Sequence, residues 1–149
     1  MTVSETSGGA SSPAPSNLVA ATEWPNYFPE GTPPRDAVDL SDTLFRLVEA
    51  IPPTKKDFVP EGIRNPSRVK AENRADWFGL STFRTLDATV RTRLRYPEMF
   101  RTARIALAAL VAADGKKRVG HSDHVTIWLR SACDPCTRFT VDGEAVPNP

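Results

Sequence analysis

Apolar and polar positions along the chain follow two different periods, and the shorter one predicts strands. The run Leu44–Ala50 carries strand-forming residues and is closed by Pro52. Successive side chains in a strand point to opposite faces, so Arg46 and Val48 are expected to share one face. Trp77–Phe83, which contains Phe and Thr and follows a charged segment, predicts a second strand. Both are short, as strands of a small sheet usually are.

One segment has the period of a helix. Thr85 offers a hydroxyl as the N-cap, and Leu86, Val90 and Leu94 recur at positions i, i+4 and i+8. This spacing predicts a helix that ends near Arg95, ahead of a Tyr-Pro pair, and that buries the three apolar residues as one stripe.

The second half of the chain predicts further strands. Apolar residues alternate strictly within Thr102–Ala113, which favours a strand over a helix, and Asp114-Gly115 is a hairpin signal. Val125–Arg130 and Arg138–Val141 complete the set, joined by a turn that contains both cysteines.

Together these elements predict an α+β fold, with a small, mostly antiparallel sheet, one or two helices and a disordered N-terminal segment. Residues 1–23 consist mainly of Ser, Thr, Gly, Ala and Pro, a composition that buries too little apolar area to order itself. Residues 24–149 are predicted to form a single domain, onto which the aromatic cluster Trp24, Tyr27 and Phe28 packs. The polar stretch Lys55–Ala75 reads as a long irregular connection with one helical turn, and such loops are often functional.

Charge and composition narrow the classes of function. With 19 Lys and Arg against 18 Asp and Glu, the net charge of +1 provides no whole-molecule attraction for nucleic acid. The chain has no apolar run of membrane-spanning length and no N-terminal signal pattern, so no membrane association and a cytoplasmic location are expected. Two cysteines cannot form the disulfide framework of a small secreted domain.

All histidines and cysteines fall between His121 and Cys136, where His121 and His124 precede Cys133 and Cys136. The strand predicted between the two pairs would hold His124 and Cys133 on the order of 25 to 30 Å apart, at about 3.3 Å per residue, which is too far for one metal ion. No metal is therefore assigned. A zinc site, a redox pair and a plain structural turn all stay open for the two cysteines.

Three short patterns carry a resemblance: Pro52-Pro53 followed by Asp57-Phe58, then Phe78–Phe83 leading into a helix, then His124–Trp128. With these, residues 40 to 141 resemble a group of small, uncharacterised bacterial proteins. More distantly, the same stretch is similar to the ADP-ribosyltransferase-like folds.

The resemblance implies a site and a possible cofactor, NAD or a related nucleotide. Position by position, Arg46 would hold the nucleotide's phosphates or ribose, Ser81 would support the cleft, and His124 would lie near the group that orients the ribose 2′-OH. The chain departs from the family pattern in two places. The strand from Val125 contains no carboxylate where such transferases usually have Glu, and the middle triplet is Ser-Thr-Phe rather than Ser-Thr-Ser.

Two functions therefore remain. The first is a small interaction or regulatory module that meets a protein partner through its aromatic N-terminal segment and an exposed sheet edge, and the missing carboxylate favours it. The alternative is an ADP-ribosyltransferase-like domain in which Arg46, Ser81 and His124 converge on one cleft. Each of these residues also has a simpler interpretation, as a surface charge, a packing residue and a solvated histidine respectively.

Overall fold

An antiparallel sheet organises the part of the chain that the computed structural model describes, residues 23–141. Its longest ladder joins β2 (Asp42–Val48) to β4 (Arg104–Leu110) through seven residue pairs. β2 mixes apolar with polar residues, whereas β4 is apolar after Arg104, which fits a strand in the interior of a sheet with apolar packing on both faces. The strands predicted in both regions are confirmed.

Seven strands make up this sheet within residues 23–141, in the spatial order β1-β5-β6-β3-β2-β4-β7. Those not yet given are β1 (Val38–Asp39), β3 (Leu80–Phe83), β5 (Gly115–Val119), β6 (His124–Leu129) and β7 (Thr140–Val141).

Five α-helices accompany the sheet in the described chain, and four of them are single turns. They are α1 (Glu61–Arg64), α2 (Arg74–Trp77), α3 (Leu86–Arg95), α4 (Pro97–Phe100) and α5 (Pro135–Arg138). The predicted α+β class and antiparallel sheet are confirmed. The predicted disordered segment lies outside the described residues except for Glu23.

One side of the sheet, here called the apolar face, carries the main core. Strand alternation and register bring its buried side chains together: Leu44, Val48, Leu80, Ala106, Ala108, Leu110, Val125, Ile127 and Leu129. Phe58 and Phe139 join this core, with ring centroids 5.4 Å apart. The opposite side, here called the cleft face, carries Ser81, Phe83 and His124.

Both predicted hairpins in the second half of the chain are wrong. β4 pairs with β2 and β7, whereas β5 pairs with β6 and β1, so Asp114-Gly115 does not connect neighbouring strands. β6 and β7 likewise lie apart, and the cysteine segment between them forms α5, which begins at Pro135 with Asp134 as its N-cap. The segment predicted as a strand from Trp77 is helical up to that residue, and the strand begins at Leu80.

The long helix α3 forms where predicted but turns a different face inward. The Thr85 hydroxyl accepts the backbone N–H of Ala88, as the N-cap interpretation required. Instead of the Leu86 stripe, however, the helix buries Ala88, Thr89 and Arg93. Short or hydrogen-bonding side chains allow this face to approach the sheet closely, because Thr89 donates back to the Thr85 carbonyl.

Candidate functional site

Ser81 and His124 meet on the cleft face. β3 and β6 are paired so that Ser81 is opposite Thr126, which makes His124 a diagonal neighbour of Ser81 on the same face. His124 Nε2 lies 3.0 Å from Ser81 Oγ, within hydrogen-bond range. The edge of the imidazole also contacts Phe83, at 5.4 Å between ring centroids.

The environment of His124 favours its neutral form. Partial burial lowers the pKa of the imidazole below its usual value, and the attraction of Asp76 opposes that effect only in part. A neutral imidazole has one nitrogen able to accept a proton, so the pair can polarise a hydroxyl. The hydroxyl is either that of Ser81 or one on a bound ligand.

Arg46 reaches the same place from the other side of the sheet. β2 and β3 share one residue pair in the described chain, Phe45 with Phe83, and their ladder stops there. The Arg46 guanidinium fills the opening and donates from Nη1 to the Ser81 carbonyl at 2.7 Å. Its Nε and Nη2 donate to the Asp57 carbonyl at 3.1 and 2.7 Å. Three of the five N–H groups of an arginine are thus engaged with backbone.

The charge of Arg46 has no direct counterion. No carboxylate contacts the guanidinium among residues 23–141, and Asp57 attracts it only from a longer distance. Burial and, to a smaller extent, repulsion from Arg64 together lower the pKa of Arg46 to about 10, although Asp57 opposes them. Two cations therefore approach each other here without a shared anion.

A cleft with a volume of about 920 Å³ contains all three residues predicted from the sequence. That is the size range of pockets that hold cofactors. Its cationic walls come from Arg46, Lys56, Arg64 and Arg118, and its apolar walls from Trp77, Phe83, Tyr96, Met99 and Phe100.

The carboxylates that line this cleft are already engaged. Both oxygens of Asp57 accept backbone N–H groups, from Glu49 at 2.7 Å and from Thr54 at 2.9 Å. Asp76 is in contact with Arg118, and Glu61 lies 3.6 Å from Arg68. Lys56, by contrast, forms no ion pair with any described residue. The lining therefore carries four cationic and four anionic side chains, Glu49 among the latter, and has no net charge; Arg46 and Lys56 are its cations without an ion pair in the described chain.

Several lining residues were not identified from the sequence. Arg64 comes from Lys55–Ala75, which the sequence marked only as a long loop, whereas Asp76 and Trp77 follow it and Trp77 was predicted to begin a strand. Tyr96 and Met99 follow α3, where the Tyr-Pro pair was interpreted solely as a helix end. The length of the Lys55–Ala75 loop was the one available signal.

The site contains no carboxylate on the late strand. β6 runs from His124 to Leu129 without Asp or Glu, and Glu144 lies outside the described residues. Asp76 is the acid that influences His124, and it does so without a hydrogen bond to the ring. The arrangement can bind, orient and polarise hydroxyl groups, but no carboxylate directly contacts either Ser81 or His124 in the described chain.

The two cysteines lie away from this cleft, against the apolar face. Burial raises the pKa of the Cys133 thiol to about 12, and the nearby Asp114 carboxylate adds to the effect. A redox-active pair needs a thiol that ionises easily, so this environment favours a structural role for the turn. Among residues 23–141, no group of three or more His, Cys, Asp or Glu side chains is arranged to hold a metal ion.

A second cavity of about 480 Å³ lies beneath the aromatic N-terminal segment. Trp24 and Phe28 stack with ring centroids 6.1 Å apart, and the Arg130 guanidinium lies 4.2 Å from the Trp24 ring centroid. The Ser131 amide donates to the Glu23 carbonyl, which ties the segment to the end of β6. This segment therefore contacts the sheet, as the sequence predicted.

The fold and the site together define a small α+β protein with a cleft lined by charged and aromatic side chains. No protein-family model, curated protein or solved structure matches the chain. Along residues 23–141, no helix is both long enough and apolar enough to cross a membrane. The function is therefore argued from the residues of the cleft.

Proposed function

We propose that the cleft binds a nucleotide, with NAD or a close relative as the ligand class. The observation that carries the proposal is the convergence of Arg46, Ser81 and His124 on one concave surface. These residues are far apart in sequence and come from three strands, so nothing about chain connectivity required them to meet. The resemblance to ADP-ribosyltransferase-like folds predicts that these three residues lie in one cleft.

The cationic side of the cleft suits phosphate groups. Arg46 retains two N–H groups beyond the three that bond backbone, and Lys56 has no ion pair among the described residues. Phosphate oxygens placed between Arg46 and Arg64 would relieve the repulsion that lowers the pKa of Arg46. Arginine is well suited to this role because its planar donors match phosphate geometry.

The aromatic side of the cleft suits a planar base. Trp77, Tyr96 and Phe100 line it, and Met99 adds a polarisable sulfur. In the proposed complex, Ser81 and His124 bond the ribose hydroxyls between the base and the phosphates. In this proposal the residues of the cleft bind and orient the nucleotide. Transfer of an ADP-ribosyl group would also need a carboxylate, which β6 does not supply.

Thermal unfolding and calorimetric titration with millimolar NAD test the proposal. A ligand at about 100 times its dissociation constant stabilises the fold by roughly 2.7 kcal/mol, which raises the melting temperature visibly. We expect Ser81→Ala and His124→Gln to keep the fold and reduce this shift. Arg46→Lys should reduce it most, since lysine keeps the charge but loses the planar donors.

Matched variants outside the cleft control for general effects. Arg91→Lys changes an exposed arginine on α3 that pairs with Asp87, and Ser131→Ala removes a hydroxyl at the end of β6. Both should leave the NAD-induced shift unchanged. A well-folded wild type that shows no shift and no heat with NAD would contradict the proposal.

The interaction-module hypothesis is kept as a second candidate because of one observation. Leu94, Tyr96 and Met99 are exposed by 52%, 47% and 68%, three large apolar side chains within six residues. Clustered exposed apolar side chains often mark a protein contact. If the interaction module is right and nucleotide binding is wrong, substitution of Arg46, Ser81 or His124 leaves partner binding intact, and NAD has no effect on stability.

A further inference from the structure

The long helix presents an unusual distribution of polarity. α3 buries Thr89 and Arg93 against the sheet, while Leu86 and Leu94 are 38% and 52% exposed. A surface helix normally turns its apolar stripe to the core. The apolar residues whose spacing predicted burial, Leu86 and Leu94, therefore face outward. Such an exposed apolar surface favours contact with another molecule.

This exposed surface continues into the next helix. The surface formed by Leu94, Tyr96 and Met99 is here called the α3–α4 ridge: Leu94 is in the last turn of α3, Tyr96 caps both helices, and Met99 in α4 donates its backbone N–H to the Tyr96 carbonyl. Met99 is the most exposed large apolar residue among those described, at 68%. Flexible methionine is common on surfaces that receive apolar helices.

The ridge has a basic border whose charge is not neutralised. Arg95 and Arg101 form no ion pair with any residue in 23–141, and Glu98 is the acidic residue between them. By contrast, Arg91 on the same helix α3 pairs with Asp87. Two unpaired arginines against one carboxylate give the surroundings of the ridge an excess of positive charge.

We propose that the α3–α4 ridge docks an acidic amphipathic helix of a protein partner. Apolar side chains at helical spacing on the partner would cover Leu94, Tyr96 and Met99, and its flanking carboxylates would pair with Arg95 and Arg101. An anionic membrane fits less well, because the chain's overall charge of +1 gives little long-range attraction to a charged bilayer.

Docking at the ridge would also affect the cleft. Tyr96 and Met99 line the cleft as well as the ridge, so a helix that covers them would restrict access to it. The partner is then a regulator of ligand entry. This consequence rests on the proposed nucleotide function, whereas docking itself does not.

Fluorescence anisotropy with a synthetic probe tests the docking. The probe is a labelled peptide of about 18 residues, or five helical turns, with Leu at i, i+3, i+4 and i+7 positions and Glu on both flanks. We expect Met99→Asp and Leu94→Asp to weaken binding by about tenfold or more, as substitutions at the centre of an interface do. Arg101→Glu should weaken it too, and affinity should fall as salt rises from roughly 50 to 300 mM.

A control variant and a control peptide test whether binding is specific to the ridge and to the acidic residues of the probe. Val119→Asp alters an apolar residue of β5 that is 41% exposed but lies outside the ridge, and it should bind the probe as the wild type does. A peptide with Lys in place of every Glu should bind far more weakly. The melting temperature of each variant establishes that it is folded.

The remaining outcomes would overturn the proposal. Equal binding of the Lys peptide, or unchanged binding by Met99→Asp, removes the acidic-helix partner. Met99-dependent binding to phosphatidylglycerol vesicles without peptide binding points to a membrane instead, and Met99-dependent dimerisation in sedimentation points to a second copy. Repeating the titration with His124→Gln separates the two proposals, because docking should survive the loss of NAD binding.

Discussion

The two faces of the sheet are filled by different means. The apolar face is closed by aliphatic side chains beneath Phe58 and Phe139, and its members are almost completely buried. On the cleft face, α3 packs through Thr89 and Arg93, whose polar atoms need hydrogen-bond partners. The apolar packing leaves only the cavity of about 480 Å³ at its margin, beneath the N-terminal segment, whereas the second arrangement leaves the cleft of about 920 Å³ beside the helix. The main aliphatic core and this cleft thus lie on opposite sides of one sheet.

The largest expected effect comes from the apolar face. Leu44→Ala removes a side chain that is 0% exposed and should lower the free energy of unfolding by about 2 to 5 kcal/mol. Leu94→Ala makes the same chemical change at a position that is 52% exposed and should cost about 0.5 kcal/mol or less. Urea unfolding of both variants measures the contrast. Similar losses would mean that Leu94 is buried in solution.

Substitution of Arg46 tests how much this one side chain stabilises the fold where the β2–β3 ladder stops. Arg46→Met leaves the carbonyls of Ser81 and Asp57 without their donors and should cost about 2 to 4 kcal/mol. Arg91→Met, at an exposed position paired with Asp87, should cost less than about 1 kcal/mol. Denaturant unfolding compares the two. If Arg46→Met left the free energy of unfolding unchanged, the guanidinium would not be what holds β2 and β3 together.

The smallest effect is a pH dependence on the cleft face. Because burial lowers the pKa of His124 in the fold, the unfolded chain binds a proton more readily near the ordinary value of 6.5. Stability should therefore decrease as pH falls below about 6.5, with a slope under about 1.4 kcal/mol per pH unit, the limit for one proton.

Unfolding measured from pH 7.5 to 5 should show this decrease in the wild type and a flatter profile in His124→Gln. Ser131→Ala, which removes a non-titrating hydroxyl outside the cleft, serves as the control and should retain the wild-type slope. An unchanged slope in His124→Gln would assign the pH dependence to other groups.

The sequence predicted elements better than it predicted their neighbours. Thr85 correctly marked the start of α3, because an N-cap is a local interaction between adjacent residues. The buried face of the same helix depends on what the sheet offers, so the Leu86 spacing was misleading. The hairpin predicted at Asp114-Gly115 was wrong for the same reason, because strand pairing also depends on tertiary contacts. A Cβ on Gly115 would collide with the Trp128 carbonyl, so the glycine is needed for contact with β6 and not for a hairpin.

β5 was missed because its residues resemble a charged loop. Lys116, Lys117 and Arg118 form a strand through backbone pairing with β6 and β1, and carboxylates from distant segments, Asp39 and Asp42 among them, offset their charges. The three site residues were named from a resemblance, and the structure brings them together. Their roles remain proposals. The rest of the cleft comes from a loop whose course depends on tertiary contacts, which no local pattern specifies.

The single residue pair between β2 and β3 makes the sheet a joint between two units. On one side β1, β5, β6 and β3 form a four-stranded block, and on the other β2, β4 and β7 form a three-stranded one. Seven residue pairs secure β2 to β4, whereas Phe45 with Phe83 is the one ladder pair between the blocks in the described chain. The Arg46 guanidinium, the Lys117–Asp42 ion pair and the packing of α3 on both β2 and β3 supplement it. A molecule that contacts Arg46 and His124 together would add a further link between the two blocks, so that filling the cleft would also stiffen the sheet along this line.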